Sequence, residues 1–197
     1  MIKIGITGNI GSGKTTVSKI FELLGVPVFY ADDQAKKVMV SDTELISGMK
    51  KAFGNDAYFA DGALNRKHIA SIVFNNDAEL AKLNALVHPA VFRAFDNWAA
   101  AQTQAPYLMK EAALLFESSS YKMCDRTIMV TAPFELRMRR ILQRDGITRA
   151  EAENRNSKQF TEEQKIALAD DLICNDETRL VIPQVLALHQ HYLTLAK

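Results

Sequence analysis

Residues Gly8-Asn9-Ile10-Gly11-Ser12-Gly13-Lys14-Thr15 satisfy G-x-x-x-x-G-K-[ST], the spacing of a phosphate-binding loop. The residue types suit that chemistry. A triphosphate is wrapped by backbone N–H groups, and only residues with small or absent side chains let the chain come that close, a need met by Gly8, Gly11 and Gly13. A helix starting near Lys14 turns its unsatisfied N–H groups and positive dipole end toward the phosphates. The Lys14 ammonium then reaches the β- and γ-phosphates, and the Thr15 hydroxyl ligates Mg²⁺. Gly11, Ser12, Gly13, Lys14, Thr15 and Thr16 are the residues expected to hold the nucleotide. The plain alternative is a glycine-rich turn without a ligand. The flanks argue against it: Ile2, Ile4 and Ile6 form a β-branched run before the loop, and Val17, Ile20, Phe21 and Leu24 recur at helical spacing after it.

Two further groups have the types and spacing for phosphoryl transfer. Asp32 follows the apolar run Val28-Phe29-Tyr30-Ala31 and is expected to close a second strand beside the loop, where a carboxylate accepts the proton of an attacking hydroxyl or holds Mg²⁺. Asp33 can share that role, and the structural alternative is an N-cap for the next helix. Arg137, Arg140 and Arg144 fall within about 60° of one another on a helix, while Arg139 points elsewhere. Guanidinium groups on a closing lid suit the charge that develops on a transferring phosphoryl group; the alternative is a solvated helix face with partners such as Glu135. His189 and His191, two apart on a helix, point about 200° from each other and are discounted as metal ligands.

The elements that must position these groups follow from hydrophobic periodicity. Strand-like runs occur at 2–7, 26–30, 107–111, 127–131 and 172–174, with helical stretches between them. That alternation predicts an α/β fold with three layers, a parallel sheet covered by helices on both faces. The expected nucleotide-binding core comprises 1–31, 105–131 and 169–197; 32–104 is expected to be an inserted helical acceptor subdomain and 132–168 an arginine-rich helical lid. The last helix, with Val181, Val185, Leu188, Tyr192 and Leu195 on one stripe, is expected to pack on the sheet. With 197 residues the chain can bury a full core, and its formal net charge of +1 gives no reason to expect a nucleic acid or an acidic membrane as partner. Cys124 and Cys174 stand alone, which suggests neither disulfides nor zinc. The absence of a leader-like start or a long apolar run leads to the expectation of a cytoplasmic protein with no membrane association and no obligate protein partner.

No D-x-x-G, N-K-x-D or L-S-G-G-Q segment accompanies the loop, which sets aside regulatory GTPases and transporter ATPases. Seven motifs instead resemble dephospho-coenzyme A kinases, over nearly the whole chain. The opening Ile6-Thr7-Gly8-Asn9-Ile10-Gly11-Ser12-Gly13-Lys14-Thr15-Thr16 is similar to L-T-G-G-I-G-S-G-K-S-T, with Asn9 for a Gly and Thr15 for Ser. Tyr30-Ala31-Asp32 resembles D-A-D, Asp61 to Arg66 resembles D-G-x-L-D-R, and Leu83 to Pro89 resembles L-N-x-I-x-H-P. Ala113-Leu114-Leu115-Phe116-Glu117 is similar to P-L-L-F-E. Arg137 to Asp145 resembles Q-x-x-R-x-x-x-R-D, and Gln159 with Ala169 to Asn175 matches a late Q and A-D-x-V-I-x-N.

The resemblance implies transfer of the γ-phosphoryl group of ATP, with Mg²⁺, to the ribose 3′-hydroxyl of the small-molecule substrate dephospho-coenzyme A. It implies that Asp32 is the base, with Arg140 and Arg144 as lid residues over the transferring group. Arg66 and His88 would hold the coenzyme A part of the substrate, although a His before Pro is also a helix-end residue. Leu115 would form an apolar wall with the Glu117 carboxylate beside the acceptor, and Asn175 would lie near the adenine. Two alternatives stay open: a P-loop kinase acting on another small molecule, and a nucleotide-sensing module without transfer.

Overall fold

The structure, a computed structural model, describes residues 1–74 and 76–196. Asn75 and Lys197, which fall within the expected acceptor and core segments, lie outside the described residues. The chain forms two compact units, one of residues 1–30 and 102–197, the other of residues 31–101.

The first unit is built on five parallel strands in the order β2-β3-β1-β4-β5: β1 Ile2–Thr7, β2 Val28–Tyr30, β3 Tyr107–Glu111, β4 Arg126–Thr131 and β5 Asp171–Cys174. The chain winds from β1 outward to β2, returns to fill the gap with β3, and then crosses β1 to β4. This makes the carboxyl end of β1 the switch point where ligands of open α/β sheets bind. Ile4, Ile6, Tyr107, Met109, Ile128, Val130 and Ile173 pack in one core with Val17 and Phe21 of α1 (Lys14–Leu23) and Val185 and Tyr192 of α9 (Val181–Leu195). The last helix therefore covers the sheet as its apolar stripe predicts, with Leu195 left largely exposed.

Two boundaries differ from the expectation. The run 26–30 reads as one strand, but Gly25 and Val26 finish α1, their N–H groups donating to Glu22 O and Phe21 O in a left-handed helix end. Pro27 has no N–H to donate, so the ladder starts at Val28. The segment 132–168 folds as α6 (Phe134–Asp145), α7 (Arg149–Ser157) and α8 (Glu162–Leu168), and all three belong to the first unit. Thr148 and Thr161 start α7 and α8, each by a reciprocal capping box.

The second unit is helical: α2 Ala31–Ser41, α3 Thr43–Phe53, α4 Arg66–Val73 and α5 Asp77–Ala100. Asp42, Asn65 and Asn76 cap the last three by accepting from Leu45, His68 and Glu79 backbone N–H groups. Val38, Leu45, Met49, Phe53, Val91 and Phe95 are buried. Arg93 bridges Asp42 and Glu44 between α5 and the start of α3.

Candidate active site

The phosphate loop occupies the turn from β1 into α1, and its glycines have two separate reasons to be glycine. Gly11 and Gly13 sit at φ of 82° and 90°, a region where a side chain strains the backbone. The protein also crowds both positions from behind. A Cβ on Gly11 would lie 2.5 Å from the Arg137 carbonyl oxygen, and one on Gly13 would collide with the Asn175 amide nitrogen. Close approach of phosphate is thus only part of the requirement.

In front of the loop a cavity of about 190 Å³ is lined by Gly11, Gly13, Lys14, Thr15, Thr16, Arg140, Ile141 and Arg144. The structure brings together loop and arginines that lie some 130 residues apart in sequence, with Gly13 as the residue before the first turn of α1. Ser12 is buried beneath them, and its carbonyl accepts from Asn175 Nδ2 at 2.8 Å. Thr15 Oγ1 donates to Glu111 Oε1 at 3.0 Å. A hydroxyl that gives its proton to a carboxylate keeps its oxygen lone pairs for another partner.

Glu111 corrects an expectation about the sheet. Asp32 is not at the end of a strand beside the loop: β2 stops at Tyr30, α2 begins at once, and Asp32 is exposed in its first turn. Because the residue before α2 is Tyr30, Asp32 is not an N-cap either. Within the sheet β3 lies between β2 and β1, so the carboxylate that meets the loop is Glu111, the last residue of β3. The sequence carried a sign of this, an acid closing an apolar run, but its meaning depends on the strand order. Asp33 pairs with Lys36 at 2.7 Å on the exposed face of α2, whereas Asp32 has no partner among the described residues.

The three arginines do not share one environment. Arg137 is 4% exposed and donates to Ala132 O, Ile10 O and Asn156 Oδ1, with Glu162 3.5 Å away, so it braces the back of the loop. Its side chain is therefore not part of a common arginine face. Arg140 donates to Gly11 O at 3.5 Å, Asn175 O at 3.1 Å and Glu177 Oε1 at 3.3 Å. Arg144, largely exposed, pairs with its neighbour Asp145 through two nitrogens.

Two of the expected acceptor residues in the first unit are directed elsewhere. Leu115 is wholly buried against Gly5 and presents no wall to a ligand. Glu117 is turned onto the protein itself: its Oε1 accepts from Phe160 N at 2.8 Å and lies 3.0 Å from Lys165 Nζ. Lys165 is fully buried, which pushes its ammonium below the usual lysine range against the opposing pull of Glu117. In the second unit, Asn65 supplies the cap and Asp61 the turn of the motif around Arg66, which leaves Arg66 exposed at the first position of α4, its side chain unpaired among the described residues. His88 is half-buried, stacked 6.2 Å from Phe92, and α5 runs straight through Pro89, so it does not end a helix.

Elsewhere the histidines serve structure. His189 Nδ1 meets the Tyr107 hydroxyl at 2.7 Å, and burial lowers its pKa. Among the described residues no group of three or more His, Cys, Asp or Glu forms a metal site, and no helix is long and apolar enough to cross a membrane.

A phosphate loop at the switch point of a 2-3-1-4-5 parallel sheet, with arginines from a later helix lining the same cavity, defines a P-loop small-molecule kinase. The sequence model of the family described as dephospho-CoA kinase matches residues 2–180. The chain belongs to that family. It is 38% identical to the dephospho-CoA kinase of Burkholderia lata across 100% of this chain and 98% of that one. A crystal structure from Thermus thermophilus superposes with a TM-score of 0.84 at 33% identity, covering 96% of each chain. The dephospho-CoA kinase of Campylobacter jejuni shares the fold, with a TM-score of 0.72 at 24% identity over 99% of this chain and 98% of that one.

Proposed function

We propose that this chain transfers the γ-phosphoryl group of ATP to the ribose 3′-hydroxyl of dephospho-CoA, giving CoA and ADP, the last step of coenzyme A biosynthesis. The observation that carries this reading is the single cavity shared by Gly11, Gly13, Lys14, Thr15, Arg140 and Arg144 in a chain that its family matches almost from end to end. Backbone N–H groups of the loop and of the first turn of α1 hold the phosphates, and Lys14 neutralises the β- and γ-oxygens. Arg140 and Arg144 meet the charge that develops on the transferring group, and Asp32 takes the proton of the acceptor hydroxyl. Arg66 and His88 hold the acceptor. Asn175, fastened to Ser12 O, sets the far side of the loop and contacts the adenine.

The residues fit Mg²⁺. Thr15 Oγ1 and the Glu111 carboxylate are hard oxygen donors side by side, and the Thr15 proton is already committed to Glu111. When bound, Mg²⁺ neutralises charge on the β- and γ-oxygens. A reaction on a small free substrate in the cytoplasm, without nucleic acid, membrane or an obligate protein partner, completes the proposal.

The direct test is mass spectrometry of dephospho-CoA after incubation with the protein and Mg-ATP, beside Lys14→Ala and an AMP acceptor control. A product one phosphate heavier, from dephospho-CoA alone and formed roughly a hundredfold or more slowly by Lys14→Ala, is the expected result. ATP binding without that product overturns the choice of acceptor.

A further inference from the structure

The first half of the phosphate loop is held from outside by the connection between α7 and α8. Ile10 N donates to Gln159 Oε1 at 2.8 Å, and Asn9 Nδ2 donates to Phe160 O at 2.9 Å. Phe160 N is in turn tied to Glu117, whose partner Lys165 also donates to Ala113 O at 2.9 Å, the carbonyl that takes the Thr7 hydroxyl at 3.3 Å. On the other flank Arg137 Nη1 donates to Ile10 O at 3.3 Å. Both polar groups of the Ile10 backbone are therefore taken by side chains far along the chain.

The consequence follows from peptide geometry. A loop has no ladder to direct its backbone, and in a planar trans peptide the C=O of one residue and the N–H of the next point in opposite directions. With Ile10 O drawn to Arg137, the Gly11 N–H must point away from Arg137. With Ile10 N–H drawn to Gln159, the Asn9 carbonyl points the other way, where it accepts from Ser12 N at 3.0 Å. Two consecutive peptide planes are thus set by groups of the protein itself.

We propose that Gln159 is a positioning residue for nucleotide binding: its side-chain carbonyl fixes the Asn9–Ile10 peptide plane, so the loop is already ordered when ATP arrives. Loop and strap then move as one body, and residues 159 and 160 do not lift away as part of a lid. Ordering before binding raises affinity because the ligand no longer has to supply that ordering free energy. The inference rests on the reading of the loop as an ATP site.

The test compares wild type with Gln159→Leu, which removes the acceptor, and Gln159→Glu, which keeps it. ADP affinity by calorimetry, KM for both substrates, and amide exchange of residues 8–13 without nucleotide are measured. For Gln159→Leu, ADP binding and KM for ATP weaken about tenfold, the scale of one lost hydrogen bond, while KM for dephospho-CoA stays within about twofold. Loop amides exchange faster in Gln159→Leu and at the wild-type rate in Gln159→Glu. ADP affinity of the Leu variant within about twofold of wild type, equal losses for both substrates, or Leu-like exchange in the Glu variant each overturns the proposal. Wild-type protein that does not bind ADP overturns the ATP-site reading instead.

Discussion

Around the phosphate loop several polar side chains are committed to other parts of their own unit, whereas in the helical unit Asp32 and Arg66 stand in solvent with no partner among the described residues. Asn9, Thr15, Arg137, Arg140, Asn175 and Lys165 each hold a backbone group or a carboxylate that other elements of the first unit supply. Asp32 in the first turn of α2 and Arg66 in the first turn of α4 have no such engagement. The contrast separates two strategies. Catalytic electrostatics depends on groups that need no reorganisation during the reaction, which favours ties of this kind on the nucleotide side. Charges on an acceptor side can stay solvated at little cost to stability until the ligand replaces water.

The comparison is broken most directly at Asp32. Asp32→Asn keeps the shape and removes only proton acceptance, so turnover should fall roughly 10²- to 10⁴-fold with ADP affinity within about twofold. Melting temperature should fall by a few degrees at most, because the exposed side chain gives up only the favourable interaction of a carboxylate with the N-terminus of α2. Turnover near wild type would transfer the step to Asp33, at the cost of its pairing with Lys36, or to positioning alone.

Arg140 tests the tied side. Arg140→Ala is expected to lower kcat/KM about a hundredfold and also to lower the melting temperature by a few degrees, because Gly11 O, Asn175 O and Glu177 lose a donor together. Arg144→Ala, which among the described residues breaks an ion pair with the neighbouring Asp145, should lower turnover without the thermal shift. Unchanged kinetics in both would leave Arg140 a structural brace of the loop and Arg144 a solvated residue.

The same contrast explains what was legible in the sequence. The loop, the five strands and the apolar stripe of α9 all write themselves in local spacing, and each appears within a few residues of its expected place. What depended on strand order did not. Nothing in the periodicity says that β3 comes between β1 and β2, so Asp32 was assigned the position beside the loop that Glu111 holds. Arg137 has the same spacing to Arg140 that a shared face requires, yet its backbone neighbours Ala132 and Ile10 draw it underneath the loop. Leu115 and Glu117 belong to a motif that reads as ligand-facing and turns out to pack against Gly5 and Lys165. Long-range ties of this kind leave no periodic trace.

Arg66 gives the smallest expected effect and the cleanest separation. Its motif has a structural explanation residue by residue: Asp61 Oδ1 accepts from Ala63 N, Tyr58 pairs with Leu64, and Asn65 caps α4. Arg66 is left unexplained by that scheme, because a cationic residue in the first turn of a helix opposes the dipole and here no carboxylate among the described residues offsets it. A positive group held there against a small electrostatic cost is suited to an anionic ligand, and dephospho-CoA carries a diphosphate. Arg66→Ala should therefore raise KM for dephospho-CoA about tenfold, leave KM for ATP unchanged, and leave the melting temperature level or slightly higher. A fall in melting temperature with no change in KM would mean that Arg66 supports α4 after all, and the exposed side would then be tied in a way the structure does not display.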